Sequence, residues 1–372
     1  MAKKDDVSIE SFNKEVMDKI LNKEGKISSL SDETSASTVK SYISTGSTIL
    51  DYRIANQRNG GIPVGRITEI SGESASGKSL LAFQIIANAQ KLGAPVFYAD
   101  TESAADANFM KRVGIQLEKL PTWHPPTLEQ FFEKTEQIII KTRETFPNKE
   151  RPVVIVLDSV AATPTEVESE GTYDANGRPG LLGKSLSLGL KKLNQIVGNE
   201  CVTLILLNQL RMKFNVTNPY EDKYITPGGM AAGFYASLRM RLHKSSKVKD
   251  PITEDIIGVG CRAKIEKNKM APAHRIAEFN IMFDKGIDNA ISVYDYLKDV
   301  EVIKKKSGNT IFNATKFGVD FETEIPTSEW RKFFKEKQNI ILNLLDVLLI
   351  KDYPDTESLE VGSAKIEKEE SP

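Results

Sequence analysis

The apolar positions of this 372-residue chain follow two rhythms. Short runs dense in apolar and β-branched residues are RITEISG (66–72), VFYAD (96–100), VVIVLD (153–158) and TLILLNQ (203–209). They read as strands, VVIVLD as one buried on both faces. Between them lie longer segments with an apolar residue every three or four positions: SLLAFQIIANAQKLG (79–93), LEQFFEKTEQIIIKTRE (128–144) and LLGKSLSLGLKKLNQIVG (181–198). These predict amphipathic helices. Strand and helix in alternation imply a parallel sheet covered on both faces. From about residue 234 the rhythm changes. FYASLRMRLHK, GVGCRAKIEKN and HRIAEFNIMFD are consecutive strand-like runs with no helix between them, predicting an antiparallel extension of the sheet. The expected fold class is α/β, with a mostly parallel central sheet.

The ends of the chain carry different patterns. Ile9, Phe12, Val16, Met17 and Ile20 share helical spacing within 8–23, followed by a Ser/Thr-rich linker, so residues 1–41 read as a small amino-terminal helical segment. A core follows over 42–285. Residues 286–350 form a small α+β carboxy-terminal domain closing on the apolar helix NIILNLLDVLLI, and 351–372 read as a flexible acidic tail.

Composition narrows the class. No run approaches eighteen apolar residues, so no membrane span or membrane partner is expected, and the amino terminus lacks the apolar stretch of a secretory signal. Two cysteines, Cys201 and Cys261, need no disulfide framework, which fits a reducing cytoplasm. Net charge is −1, so any contact with nucleic acid must come from local groups rather than bulk charge.

Gly72-Glu73-Ser74-Ala75-Ser76-Gly77-Lys78-Ser79 is a complete G-x-x-x-x-G-K-S loop between a predicted strand and a predicted helix. Its glycines let successive backbone N–H groups face phosphate oxygens at the positive end of a helix dipole. Lys78 is placed to bridge the β- and γ-phosphates, and Ser79 to ligate Mg²⁺. Asp158, at the carboxyl end of a buried strand, is the acidic partner for that metal, acting through water. Asp100-Thr101-Glu102 ends another strand. From pattern alone, Glu102 is equally a general base and a first-turn helix acid.

These segments resemble the bacterial and phage RecA recombinases. The likeness runs through ISTGSTILD, GGIPVGRITEISGESASGKS, YADTESAADANFMKRVGI, VVIVLDSVAA, LLNQLRMK, PGGMAAGFYASLRMRL and KNKMAPAHRIAEFNIMF, in one collinear order over roughly 42–285. The module at 286–350 is similar less sharply. The resemblance implies a RecA-like P-loop core using ATP and Mg²⁺, with Glu102 as the catalytic glutamate. It implies that Asp106 and Phe109 line the adenine, and that Gln209 senses the γ-phosphate. Lys267 and Lys269 match a pair that reaches the ATP of the neighbouring subunit. Without the resemblance, Gln209 is simply a satisfied strand end and the lysines are solvated.

Two long segments, 166–180 and 211–229, match the family's DNA loops and are expected to lack structure of their own. Arg178, Lys184, Lys191, Arg211 and Lys213 supply positive charge there, and Gly228 and Gly229 free N–H groups for phosphates. Two departures stand out: Lys184 replaces a family arginine, and the interior FNVTNPYEDKY diverges. The amino-terminal helix matches the family's subunit-packing helix, although folding back onto its own core fits its stripe as well. The implied activity is a DNA-dependent ATPase that forms a helical filament on single-stranded DNA and exchanges it with homologous duplex DNA. The alternatives are a regulatory paralogue or mediator, a ring-forming ATPase of the same superfamily, and a small-molecule kinase, for which an arginine-rich lid segment is missing.

Overall fold

The computed structural model describes residues 39–103, 105–171, 180–213, 222–250 and 253–351. The expected amino-terminal helix (8–23), the tail beyond Lys351, Arg178 and the centres of both long segments lie outside them.

A small hairpin opens the described chain: β1 (Tyr42–Ile43), α1 (Thr48–Ala55) and β2 (Ile62–Pro63). The alternating part follows as β3 (Ile67–Gly72), α2 (Lys78–Lys91), β4 (Val96–Asp100), α3 (Ala107–Arg112), β5 (Thr122–Trp123), α4 (Leu128–Thr145) and β6 (Val153–Asp158). Next come α5 (Glu166–Glu170), α6 (Leu181–Asn199), β7 (Val202–Gln209), β8 (Arg211–Met212), β9 (Tyr224–Ile225) and α7 (Ala231–Tyr235). Long antiparallel strands complete the sheet: β10 (Leu238–Lys249), β11 (Ile256–Asn268), β12 (Ile276–Met282) and β13 (Gly286–Ile287). The last part holds α8 (Asn289–Asp299), β14 (Ile303–Lys306), β15 (Asn309–Asn313), β16 (Glu322–Pro326), α9 (Trp330–Glu336) and α10 (Gln338–Leu349).

The central sheet has nine strands in the order β13-β12-β11-β10-β3-β7-β6-β4-β5. Neighbours from β10 to β5 are parallel, and those from β10 to β13 antiparallel. The expected extension therefore continues the same sheet. Its register is what builds the site: Gly72 pairs with Gln209 and Asp100 with Asp158, so four strands end together on one edge.

Pleating divides each buried strand between two cores. Val153, Ile155 and Leu157 join Phe131 of α4 and Leu190 of α6, while Val154 and Val156 join Leu81 and Ile85 of α2. A fully buried Val, Leu or Ile contributes about 1.5–3 kcal/mol, so strands buried on both faces are the strongest anchors available to whatever stands at their ends. Gly189 shows how tightly the helices meet: a Cβ there would lie 2.1 Å from the Phe132 ring. Phe312, Trp330 and Phe333 of the carboxy-terminal part join the same core as α2, and the three-stranded sheet β14-β15-β16 packs through them.

One expectation is corrected. The stretch after Thr165 was read as lacking structure, yet it begins with α5. Thr165 and Glu168 form a reciprocal capping box, and the acidic first turn complements the helix dipole.

Candidate active site

The P-loop leaves β3 at Gly72 and enters α2 at Lys78. Gly77 has φ +93°, and a Cβ there would sit 2.9 Å from Cys261 Sγ, so both backbone and space require glycine. Lys78 is only 9% exposed. Its Nζ donates to Glu73 O at 2.8 Å and Gly72 O at 3.1 Å, a cation held over the turn where an anion would sit. Burial lowers its pKa, and the Asp158 and Glu102 charges oppose that shift.

Asp158 is 5% exposed and accepts a hydrogen bond from the Tyr98 hydroxyl at 2.9 Å. Burial raises its pKa; hydrogen bonds from Ser79 and Tyr98 pull it back. Ser79 and Asp158 line the same cavity. Glu102 Oε1 accepts from Ser159 Oγ at 2.6 Å and from Gln209 Nε2 at 2.8 Å. All of these side chains except Ser159 and Tyr98 line one cavity of about 580 Å³, together with Ser74, Ala75, Ser76 and Gly77. Among the described residues no three His, Cys, Asp or Glu side chains cluster to hold a metal unaided. A hydroxyl and one carboxylate beside a phosphate-shaped turn suit Mg²⁺, which takes its remaining ligands from water and phosphate.

The structure does not bring Asp106 or Phe109 to this cavity. The Asp106 carboxylate caps α3, accepting from Asn108 N at 2.8 Å and Phe109 N at 3.2 Å. Phe109 is 4% exposed and packs against Phe83, ring centroids 6.2 Å apart, because α3 turns its apolar side into the core. The aromatic ring that does line the cavity is Phe283, 39% exposed, with Ile256 and Val259 beside it. Lys244 and Lys247 line it as well. Sequence reasoning passed over these five residues. The signal available for the lysines was HKSSKVK at the far end of β10, where polar and charged residues displace the apolar alternation.

Lys267 and Lys269 stand elsewhere. Lys267 pairs across β11 with Arg239, which pairs with Glu69 of β3, whereas the P-loop begins at Gly72. Because β11 runs against β3, its last residues reach the opposite edge of the sheet, roughly 10 Å from the P-loop along the strand direction alone. Lys267 Nζ donates to Gly233 O at 2.7 Å and Phe234 O at 3.0 Å. Burial lowers its pKa, helped by the neighbouring charges of Lys269 and Arg239. Lys269 lines a second cavity of about 780 Å³ with Arg66 and Asn194, at the amino-terminal edge.

The start of α6, just after the first segment, meets the returning limb of the second. Lys184 and Lys191 are exposed two turns apart on α6. Arg211 is exposed on β8, which pairs with β9, and Lys213 N donates to Lys223 O at 2.8 Å. Gly228 and Gly229 have φ of +90° and +64°. Gly183 at the start of α6 faces Gly228, where an added Cβ would lie 3.3 Å from its carbonyl oxygen. Asn208, next to Gln209, donates to Pro227 O at 3.0 Å. The strand end that carries Gln209 therefore holds the returning limb of the second segment.

Comparison with known proteins points to one family. The profile of the RecA N-terminal domain matches residues 11–288. Protein RecA of Wolbachia pipientis subsp. Culex pipiens (strain wPip) is 37% identical over 276 residues, 74% of this chain and 73% of that one. Protein RecA of Trichodesmium erythraeum (strain IMS101) is 33% identical over 295 residues, 79% and 77% of the two chains. For protein RecA of Arthrospira platensis the identity is 31% over 329 residues, 86% of each. A family profile that covers 11–288 and relatives 31–37% identical over 73–86% of their length leave one conclusion, that the chain belongs to the RecA family.

Proposed function

We propose that the chain is a DNA-dependent ATPase that assembles as a helical filament on single-stranded DNA and pairs it with homologous duplex DNA in recombination and repair, in the cytoplasm. The observation that carries this reading is the division of the nucleotide machinery between opposite edges of one sheet. The P-loop, Glu102, Asp158 and Gln209 share a cavity that Lys267 and Lys269 of the same chain do not line. Identical subunits stacked head to tail would bring one subunit's lysines to the next one's P-loop.

In that arrangement Lys78 exchanges the Gly72 and Glu73 carbonyls for the β- and γ-phosphates of ATP. Backbone N–H groups at the start of α2 hold the same oxygens. Ser79 and Asp158 would hold Mg²⁺, which when bound would neutralise charge on the phosphate oxygens. Glu102 orients the attacking water and takes its proton. Gln209 now donates to Glu102 Oε1; turning that amide to the γ-phosphate frees the carboxylate and moves the strand end that leads into β8. Lys267 and Lys269 of the adjacent subunit neutralise charge that develops on the transferred group. The base is stacked by Phe283. Lys184, Lys191, Arg211 and Lys213, with Arg178 in the first segment, meet DNA phosphates, and the N–H groups of Gly228 and Gly229 add neutral donors. One modest cluster per subunit suffices, because a filament repeats it along the strand.

The test is ATP turnover with and without single-stranded DNA, with electron microscopy of the same samples. Stimulated turnover together with filaments is expected. A chain that stays monomeric and turns over ATP equally in both conditions sinks the proposal.

A further inference from the structure

Tyr98 is buried within β4 and pairs with Val156 of β6. Asp158 stands two residues further along β6, and side chains two apart in a strand share a face. The phenol therefore reaches diagonally across the two strands. Its hydroxyl donates to Asp158 Oδ2 at 2.9 Å, with both groups buried. The ring is fixed from its other side by Phe83 of α2, which meets it edge-on with centroids 5.7 Å apart. Sheet and P-loop helix thus clamp the ring between them.

Asp158 is held in two ways. Its carbonyl oxygen accepts from Thr101 N at 2.8 Å and from Thr101 Oγ1 at 3.0 Å, which fixes the main chain. Those bonds leave the carboxylate free to turn about its own dihedrals, and Tyr98 acts on that remaining freedom. A buried phenol needs an acceptor, and a backbone carbonyl would serve equally well. This one instead takes an oxygen of the carboxylate that faces the nucleotide cavity, which Tyr98 itself does not line. A carboxylate that meets a metal through water depends on its orientation, because the water's hydrogen bond is directional.

We propose that Tyr98 is a positioning residue for the metal of the nucleotide site: by engaging Asp158 Oδ2 it aims the other oxygen, Oδ1, at a water on Mg²⁺. The hydroxyl brings no charge and acts through Asp158 alone. The inference rests on the reading that Ser79 and Asp158 hold Mg²⁺ beside ATP, and the experiment separates the two.

Affinity for a fluorescent, non-hydrolysable ATP analogue is measured from EDTA upwards in Mg²⁺, and the Mg²⁺ midpoint of the gain in affinity is read. Tyr98→Phe removes only the hydroxyl and keeps the ring against Phe83. It is expected to raise the midpoint about three- to tenfold while affinity in EDTA stays within about twofold, as for other partners that orient metal ligands. On an Asp158→Asn background the same change should move the midpoint no further, since the two residues act as one unit. Thermal unfolding without nucleotide or metal records separately what the lost buried hydrogen bond costs the fold. An unchanged midpoint overturns this inference alone, whatever the melting temperature does. So does an equal loss of affinity with and without Mg²⁺, or a full second shift on the Asp158→Asn background. A wild-type chain whose affinity for the analogue ignores Mg²⁺ overturns the metal reading and this inference with it.

Discussion

The two edges of the central sheet are built to different standards. At the carboxyl edge, β3, β4, β6 and β7 deliver Gly72, Asp100, Asp158 and Gln209 in register from strands buried on both sides, and hydrogen bonds between side chains hold the group together. At the amino-terminal edge, Lys267 and Lys269 end a long antiparallel strand, and Lys267 donates to carbonyls of a five-residue helix. The first edge gathers a cation, two carboxylates and an amide around one cavity. The second holds a lysine pair that this cavity does not include. On the proposed function the two edges are complementary halves, and head-to-tail assembly would bring them together.

The largest effect is expected from breaking the carboxyl edge. Lys78→Ala should lower ATP turnover by about 10²–10³-fold, since it removes the cation opposite the developing charge. Glu102→Gln should lower turnover similarly while nucleotide affinity, measured with a fluorescent analogue, stays within about twofold. Affinity falling together with turnover would assign Glu102 to binding instead.

The other edge is tested by Lys267→Ala combined with Lys269→Ala. ATP-dependent filaments should become rarer and turnover should drop by about ten- to a hundredfold, with an unchanged monomer melting curve. Mixing sharpens the comparison. Lys78→Ala subunits still offer good lysines, and the double variant still offers a good P-loop. An equal mixture should therefore recover activity that neither variant shows alone, with about one junction in four complete on random assembly. No recovery would mean that both defects lie in the same half-site.

The smallest effect on turnover belongs to a carboxylate outside both edges. Asp51, in the first turn of α1, is buried and accepts from Ser44 Oγ at 2.6 Å, Thr45 N at 2.8 Å and Thr45 Oγ1 at 2.6 Å. Burial, opposed by these bonds, pushes its pKa up to about 7. Below about pH 4 the group is protonated in both folded and unfolded chains, and its contribution is fully present. As pH rises from there towards 7 the unfolded chain ionises first, so stability falls. Asp51→Asn should flatten that part of the stability–pH curve in chemical denaturation and leave turnover alone; an unchanged slope would place the titration elsewhere.

Much of this was legible beforehand because it is local. The P-loop needs glycine at Gly77 for its backbone and a cation one residue on, and both requirements are written in consecutive letters. The same holds for VVIVLD, whose unbroken apolar run can only be a strand buried on both faces ending in Asp158. Sequence and structure part where a side chain's direction decides the matter. Phe109 and Phe283 are both aromatics near the right segments, but α3 buries one and the end of β12 leaves the other on the cavity. The short helix after Thr165 was missed although its capping box was visible, because the surrounding glycines and acids dominated the impression of a loop.

By itself, then, the chain's order of residues determined the alternating core and the glycine-rich turn between β3 and α2, since each depends on periodicity or on neighbours in sequence. Which groups touch was decided only in three dimensions. Parallel register brought Gly72 beside Gln209, and antiparallel reversal carried Lys267 to the far edge. The reason is physical: strand pairing sums many weak backbone bonds and buried contacts across residues far apart in the chain, and no local pattern encodes that sum.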